Sequence, residues 1–302
     1  MNLLFEIISR AKYQKQRLQN TPRYQLTKRV REFIQQTSLS PNPALPPREQ
    51  KIFAKFLQHH LIEIFNYPFI SKYIHRCVKV RTDKINGLHY VYTPEKHRLY
   101  FKRGMTRKNI RVAYNNLCAE QDNLSPHNYC FEYFEASNQS IFADIGAAEG
   151  IFGLKFVDEI KQLYLFEANH DWIEALEATF HPWKDKVVII NKYVGNDNND
   201  KFVSLDYFFK NLEQPTLLKI DVEGAESAIL DGANHIIENT VDDILICTYH
   251  KNGDDKKISE LLQQRNYNTK FSPGYMFFMW EKPNYSLTAP FEFRKGLIHA
   301  SR

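Results

Sequence analysis

Phe142-Ala143-Asp144-Ile145-Gly146-Ala147-Ala148-Glu149-Gly150-Ile151-Phe152-Gly153 reads as a strand, a tight turn and the start of a helix. Gly146 and Gly150 let the backbone pass beneath a ligand without a Cβ in the way. The spacing is D-x-G-x-x-x-G, not the G-x-G-x-x-G turn that brings a helix N-terminus onto a pyrophosphate. Asp144, at the strand end, suits a cationic ligand such as a sulfonium nucleoside. An NAD-dependent oxidoreductase is the rival reading, and the turn spacing argues against it.

A second acid follows. The apolar run 163–166 ends at Glu167, 23 residues beyond Asp144, with Ala168 and Asn169 next. A carboxylate there can accept both hydroxyls of an adenosine ribose. Its bland role, capping the next helix, can fall to Asn169 instead. Two acids bracketing a glycine turn favour an adenosyl ligand. Gly146, Ala147, Gly150 and Ala168 are its backbone neighbours.

Further along, Leu217-Leu218-Lys219-Ile220-Asp221-Val222-Glu223-Gly224-Ala225-Glu226 carries Asp221 and Glu223 past the end of a buried strand. A two-residue spacing sets both on one side of an extended segment. Glu226 opens a helix and reads as a cap. Residues 244–248 form the next apolar run, and it delivers His250 to the neighbouring strand end. Asp221, Glu223 and His250 are the catalytic candidates: His250 as base, Asp221 as second choice and Glu223 as the group that orients His250 or holds the acceptor. Asp221 also borders the cofactor. No metal is assigned, although these three residues are the ones that would bridge a divalent ion. His127, Tyr129 and Arg294 are weaker candidates for covering the cofactor or reaching an acceptor.

From residue 140 onward short apolar runs at 141–145, 163–166, 187–191, 217–221 and 244–248 alternate with helical patterns, which predicts a mostly parallel α/β sheet. Residues 267–270 and 275–280 straddle Ser272-Pro273-Gly274 and predict a C-terminal antiparallel hairpin. Upstream, the predicted order is one or two helices over 3–36, a linker with four prolines from Ser38 to Pro47, a helix over 48–75 and a small antiparallel meander at 77–81, 89–92 and 99–101. A helix over 106–121 follows, with Thr106 as its N-cap. The expected division is an N-terminal lobe at 1–105 and a catalytic domain at 106–302.

These segments resemble the FkbM-type methyltransferase family. The resemblance rests on 142–150, 165–169, Val203-Ser204-Leu205-Asp206 and, most specifically, Lys219 to Glu226 with Leu230-Asp231-Gly232-Ala233. It covers residues 125–280 and extends to Ser125-Pro126-His127-Asn128-Tyr129 and Phe293 to Ile298, with no match over 1–75. It implies a seven-stranded class I methyltransferase fold (a Rossmann-like sheet) that uses S-adenosylmethionine. It also implies an acceptor hydroxyl on a sugar or glycan, free or carried on a lipid or nucleotide, or on a polyketide-type natural product. A non-catalytic binding module that keeps the fold is the remaining alternative.

Composition bounds the rest. The 302 residues carry 40 Lys+Arg and 35 Asp+Glu, and 43% are hydrophobic, enough to fill a core. Eight basic residues between Met1 and Ile34 face only Glu6 and Glu32, so the rest of the chain is close to neutral and no nucleic acid partner is expected. That basic segment, with Leu3, Leu4, Ile7 and Ile8 at helical spacing, is either a solvated helix packed on its own domain or a second copy, or a surface helix drawn to anionic lipid or to an anionic acceptor. No apolar run approaches the roughly 18–20 residues of a membrane span. Met1 to Ile8 lacks the flanks of a secretory leader. Cys77, Cys118, Cys130 and Cys247 have no metal-type spacing, so a reduced cytoplasmic protein with incidental thiols is expected.

Overall fold

The computed structural model describes residues 21–38, 44–74, 76–279 and 290–302. The chain forms two compact units. One comprises residues 1–70 and 274–294, the other 71–273 and 295–302. This division does not follow the expected boundary at 105. The meander belongs with the larger unit because its edge is tied to helix Ile173–Phe180: Tyr100 N–H donates to Thr179 Oγ1 at 3.0 Å, and Tyr90 and Tyr100 pack with Ala175 in one buried cluster. The basic residues up to Asn20, residues 39–43 of the proline segment and Trp280 lie outside the described residues.

In the larger unit a seven-stranded sheet runs in the order Asn268–Phe271, Leu297–Ser301, Asp243–Cys247, Leu217–Ile220, Ile141–Ile145, Gln162–Phe166, Val187–Ile190. The last five pair in parallel, and Leu297–Ser301 runs antiparallel to both its neighbours. The central strands are buried on both faces, so they read as near-continuous apolar runs. Alternation sorts them into two cores. Phe142, Leu163, Leu165, Leu217, Leu245 and Cys247 face one side. Ile141, Ala143, Ile145, Leu218, Ile220, Ile244 and Ile246 face the other. By the same parity Asp144, Lys219 and Asp221 share the face of Phe142 and Leu217. Asp144 and Lys219 are direct partners across the Ile141–Ile145 and Leu217–Ile220 pair.

The meander is Arg81–Thr82, His89–Tyr92 and Arg98–Tyr100, antiparallel throughout, with Gly87 at positive φ closing the first turn. Helix Arg107–Glu120 starts where expected: Thr106 Oγ1 accepts from Asn109 N–H.

The smaller unit has helices Pro22–Thr37 and Pro47–Phe56 and the antiparallel pair Met276–Met279 with Phe291–Arg294. Its core is aromatic, with Phe53 edge-on to Tyr67 and Phe293 at 5.2 and 5.4 Å. The helix expected over 48–75 stops at Phe56 and resumes only at Ser71–Ile74. Between them Ile62 N–H donates to Thr27 Oγ1, and the Asn66 side chain bonds both Glu63 N–H and Glu63 C=O. Those bonds satisfy the backbone in a non-helical path, and Pro68 precludes a return to helix before it. Antiparallel pairing is present at the C-terminal end, but between other partners than the two runs flanking Ser272-Pro273-Gly274. Asn268–Phe271 joins the large sheet through Leu297–Ser301, and Met276–Met279 takes Phe291–Arg294. Among the described residues no helix is long and apolar enough to cross a membrane.

Candidate active site

The glycine turn opens at the C-terminal end of the central strand. Gly146 has φ +79°, and a Cβ there would stand 2.0 Å from the Asp221 carbonyl oxygen, so only glycine lets the two strand ends meet. Gly150 serves a different purpose from the one expected. Its missing Cβ makes room for Phe180 and Leu176, at 2.7 and 2.9 Å, and so seats helix Ile173–Phe180. Gly146 and Ala147 both donate their N–H to Phe166 C=O, which ties the turn to the second strand.

Glu167 completes that tie. Its Oε2 accepts Ala148 N–H and its Oε1 accepts Asn169 N–H, both at 2.7 Å. Each oxygen keeps a further lone pair for a ribose hydroxyl. Asn169 caps the next turn through Asp171 N–H, as expected. Ala168 offers its carbonyl to Asn191 Nδ2 at 3.1 Å.

Asp144 is not open to a ligand. It is fully buried, and Lys219 Nζ lies 2.8 Å from its Oδ1. The sequence expectation of a carboxylate facing a cationic ligand is therefore corrected: the cation it faces is Lys219, its register partner. Lys219 also donates to Gly146 C=O at 2.7 Å, so the buried pair braces the turn from below.

Glu149, inside the turn, feels the charges of this pair. Burial pushes its carboxyl up to about 7, against its own backbone N–H and the Lys219 charge, with Asp144 and Asp221 adding to the rise.

Beside the turn, Asp221 gathers four side chains. Tyr129 O–H donates to its Oδ2 at 2.5 Å and Tyr249 O–H to its Oδ1 at 3.2 Å. The Nε2 atoms of His127 and His250 each lie 3.7 Å from its carboxylate. Burial pushes the Asp221 carboxyl up, but Lys219, then His127, the Tyr129 hydrogen bond and His250 outweigh it and hold the group well below the ordinary carboxylate range. Asp221 is thus a fixed anion, a poor base and a good anchor.

His250 is held from behind by Glu226. Its Nδ1 is 2.6 Å from Glu226 Oε1, and Glu226 is almost completely buried. A carboxylate only accepts, so Nδ1 carries the proton and Nε2 turns toward Asp221. Burial pushes the His250 pKa down, yet the Glu226 hydrogen bond and charge, followed by Asp221 and Glu223, raise it above the ordinary imidazole value.

Three sequence expectations change here. Glu226 orients His250, although it read as a helix cap. Glu223 is exposed and acts on His250 only through its charge. Asp221 and Glu223 do not share an extended segment, because the chain turns at Val222 to Gly224, where Gly224 has φ +91° and Lys251 Nζ reaches its carbonyl. Arg294 lies in the smaller unit, paired with Glu292 and over the Phe278 ring at 4.9 Å. Lys219, Cys247 and Tyr249 join the site without being candidates from the sequence. Parity along two neighbouring strands signals the first two, whereas nothing local signals Tyr249.

The residues around the turn fit S-adenosylmethionine. Glu167 has spare acceptors for a ribose, and the high carboxyl pKa at Glu149 marks a buried acid that gains from an incoming positive charge.

The methyltransferase FkbM domain model matches residues 72–269. None of the curated proteins matches this chain. Among solved structures it is similar to the methyltransferase FkbM of Methylobacillus flagellatus, with a TM-score of 0.42 and 15% identity over 63% of this chain and 52% of that one. The match thus spans about half the length of that relative. It is also similar to precorrin-6y C5,15-methyltransferase of Geobacter metallireducens, with a TM-score of 0.39 and 12% identity over 67% of this chain and 93% of that one. A third similar structure is M. capricolum TrmK with S-adenosyl-homocysteine, at a TM-score of 0.35 and 15% identity over 55% of this chain and 63% of that one. With the family model covering most of the larger unit, this chain belongs to the FkbM methyltransferase family and takes S-adenosylmethionine as its cofactor.

Proposed function

We propose that this chain methylates a hydroxyl of a sugar or glycan, free or carried on a lipid or nucleotide. One observation carries the reading: a buried carboxylate–imidazole pair, Glu226 and His250, turned toward the strand ends beside the Gly146 turn. A base there is useful for an oxygen nucleophile, because an alkyl hydroxyl attacks poorly while it keeps its proton.

S-Adenosylmethionine supplies a methyl group already activated by its sulfonium, so the protein's main work is alignment and the exclusion of water. Glu226 fixes the tautomer and direction of the His250 ring. Nε2 takes the acceptor proton as the new oxygen–carbon bond forms and the carbon–sulfur bond breaks. Glu226 and Asp221 stabilise the resulting imidazolium. Asp221 anchors the Tyr129 and Tyr249 hydroxyls rather than taking the proton. Glu167 would hold the ribose end of the cofactor, and Glu149 is the buried acid of the turn that its positive charge would favour.

Labelled-methyl transfer from S-adenosylmethionine into a host glycan extract, followed by mass spectrometry of the product, tests the reading. Label on a carbohydrate hydroxyl is the expected result. Label confined to nitrogen, carbon or a non-carbohydrate acceptor would overturn it.

A further inference from the structure

Asp221 has two neighbours that acid–base chemistry does not use. His127 and Cys247 are both buried, and together with Asp221 they offer a ring nitrogen, a sulfur and a carboxylate oxygen within 4.8 Å of one another. His127 Nε2 lies 3.7 Å from Asp221 Oδ2 and 3.7 Å from Cys247 Sγ. A tetrahedral zinc ion bonds nitrogen and oxygen at about 2.0 Å and sulfur at about 2.3 Å, which sets such atoms about 3.3–3.6 Å apart. The two separations from His127 need only a small contraction to reach that, and the third pair lies within 4.8 Å.

We propose that His127, Asp221 and Cys247 form a three-ligand site for a zinc-class divalent cation. The donor set favours that class: one imidazole, one thiolate and one carboxylate suit a borderline-soft ion, whereas magnesium and calcium take oxygen ligands. The set also leaves a fourth position. His127 and Cys247 close the buried side, and Asp221, whose side chain is 21% exposed, faces the open one. Tyr129 and Tyr249 hold the carboxylate by its two oxygens, the kind of support that orients a metal ligand. Tyr249 O–H, 3.2 Å from His127 Nε2, yields that nitrogen to the ion and keeps its bond to Asp221. On binding, the sulfur–metal bond forms as the Cys247 thiol proton leaves for solvent.

The site deepens the proposed reading and rests on it only for its role, which is to polarise the acceptor hydroxyl at the fourth position beside His250. Cobalt(II) titration of chelator-treated full-length protein tests its existence without any turnover. The expected result is a one-to-one complex with strong tetrahedral ligand-field bands and a sulfur-to-cobalt charge-transfer band, displaced by zinc. Cys247→Ser removes the charge-transfer band, His127→Gln weakens binding by at least about tenfold, and Cys77→Ser at an exposed thiol changes neither. A wild-type protein without these bands, or bands that persist in Cys247→Ser, would overturn the proposal. Calorimetry of S-adenosylmethionine on the same samples separates the two readings. Cobalt bands without cofactor binding break the methyltransferase reading and leave the metal site. Cofactor binding without cobalt bands does the reverse.

Discussion

The glycine turn and the Asp221 cluster stand at neighbouring strand ends, yet they are built from different materials. The turn is tied through its own backbone groups: Gly146 and Ala147 N–H to Phe166 C=O, Ala148 N–H to the Glu167 carboxylate, and Gly146 C=O to Lys219 Nζ. Its partners come from the two strands that flank Ile141–Ile145, Gln162–Phe166 with the residue after it and Leu217–Ile220. The cluster is tied by side chains from the segment before the first strand, from two strand ends and from a following helix. A backbone-tied element tolerates changes of side chain but not an added Cβ. A side-chain-tied element is the opposite, because each member can be trimmed and the remainder re-formed. The glycine turn is therefore rigid, and the Asp221 cluster is tunable.

Gly146→Ala should break the first half of that contrast. Its Cβ would meet the Asp221 carbonyl at 2.0 Å, at a φ that alanine resists. We expect a loss of more than about 3 kcal/mol of stability and of measurable cofactor binding, read by denaturant unfolding and calorimetry. Wild-type stability in that variant would refute the close approach.

His250→Ala probes the second half. Turnover should fall by about 10²–10⁴ while S-adenosylmethionine affinity is retained. Unchanged turnover in that variant removes His250 from the chemistry.

Glu149→Gln sharpens the comparison through pH. The folded-state carboxyl titrates at about 7, above its unfolded value of 4.5. At low pH the group is neutral in both states. As pH rises from 4.5 to 7 the unfolded chain releases the proton first, so the wild type loses stability across that window. Above it the loss is complete, at about 3 kcal/mol. The glutamine variant should therefore match wild type near about pH 4 and exceed it by roughly that amount near about pH 8. Equal unfolding curves on the alkaline side of the window would show that Glu149 is not buried as described.

Glu226→Gln should have the smallest effect. The amide oxygen can still accept from Nδ1, so turnover falls by about tenfold. Loss of the negative charge lowers the His250 pKa. The rising limb of the kcat–pH profile, which follows loss of the His250 proton, should then move to lower pH. A limb that stays in place would detach Glu226 from the base.

Much of this architecture was legible because it is local. The alternation of apolar runs with helical patterns from residue 140 follows from strands buried on both faces, and Thr106 caps its helix by a contact three residues away. The turn at Gly146 and the position of Glu167 were likewise readable from spacing. Roles were less legible. Asp144 and Glu167 look equivalent as acids at strand ends, but register places Lys219 against one and backbone N–H groups against the other. Glu226 and Glu223 look equivalent three residues apart, but the turn at Gly224 buries the first against His250 and leaves the second exposed.

Neighbouring residues alone dictated the strand–turn–helix, the parallel sheet and the acids at its edge, because side-chain period, capping and glycine geometry act over a few positions. Only folding decided that Asp144 would be neutralised by Lys219, that Glu226 would hold His250, and that His127, Tyr129 and Cys247 would converge on Asp221. Those encounters join residues 24 to 120 positions apart. Burial strips them of water, and a desolvated charge must find whichever partner the packing brings to it.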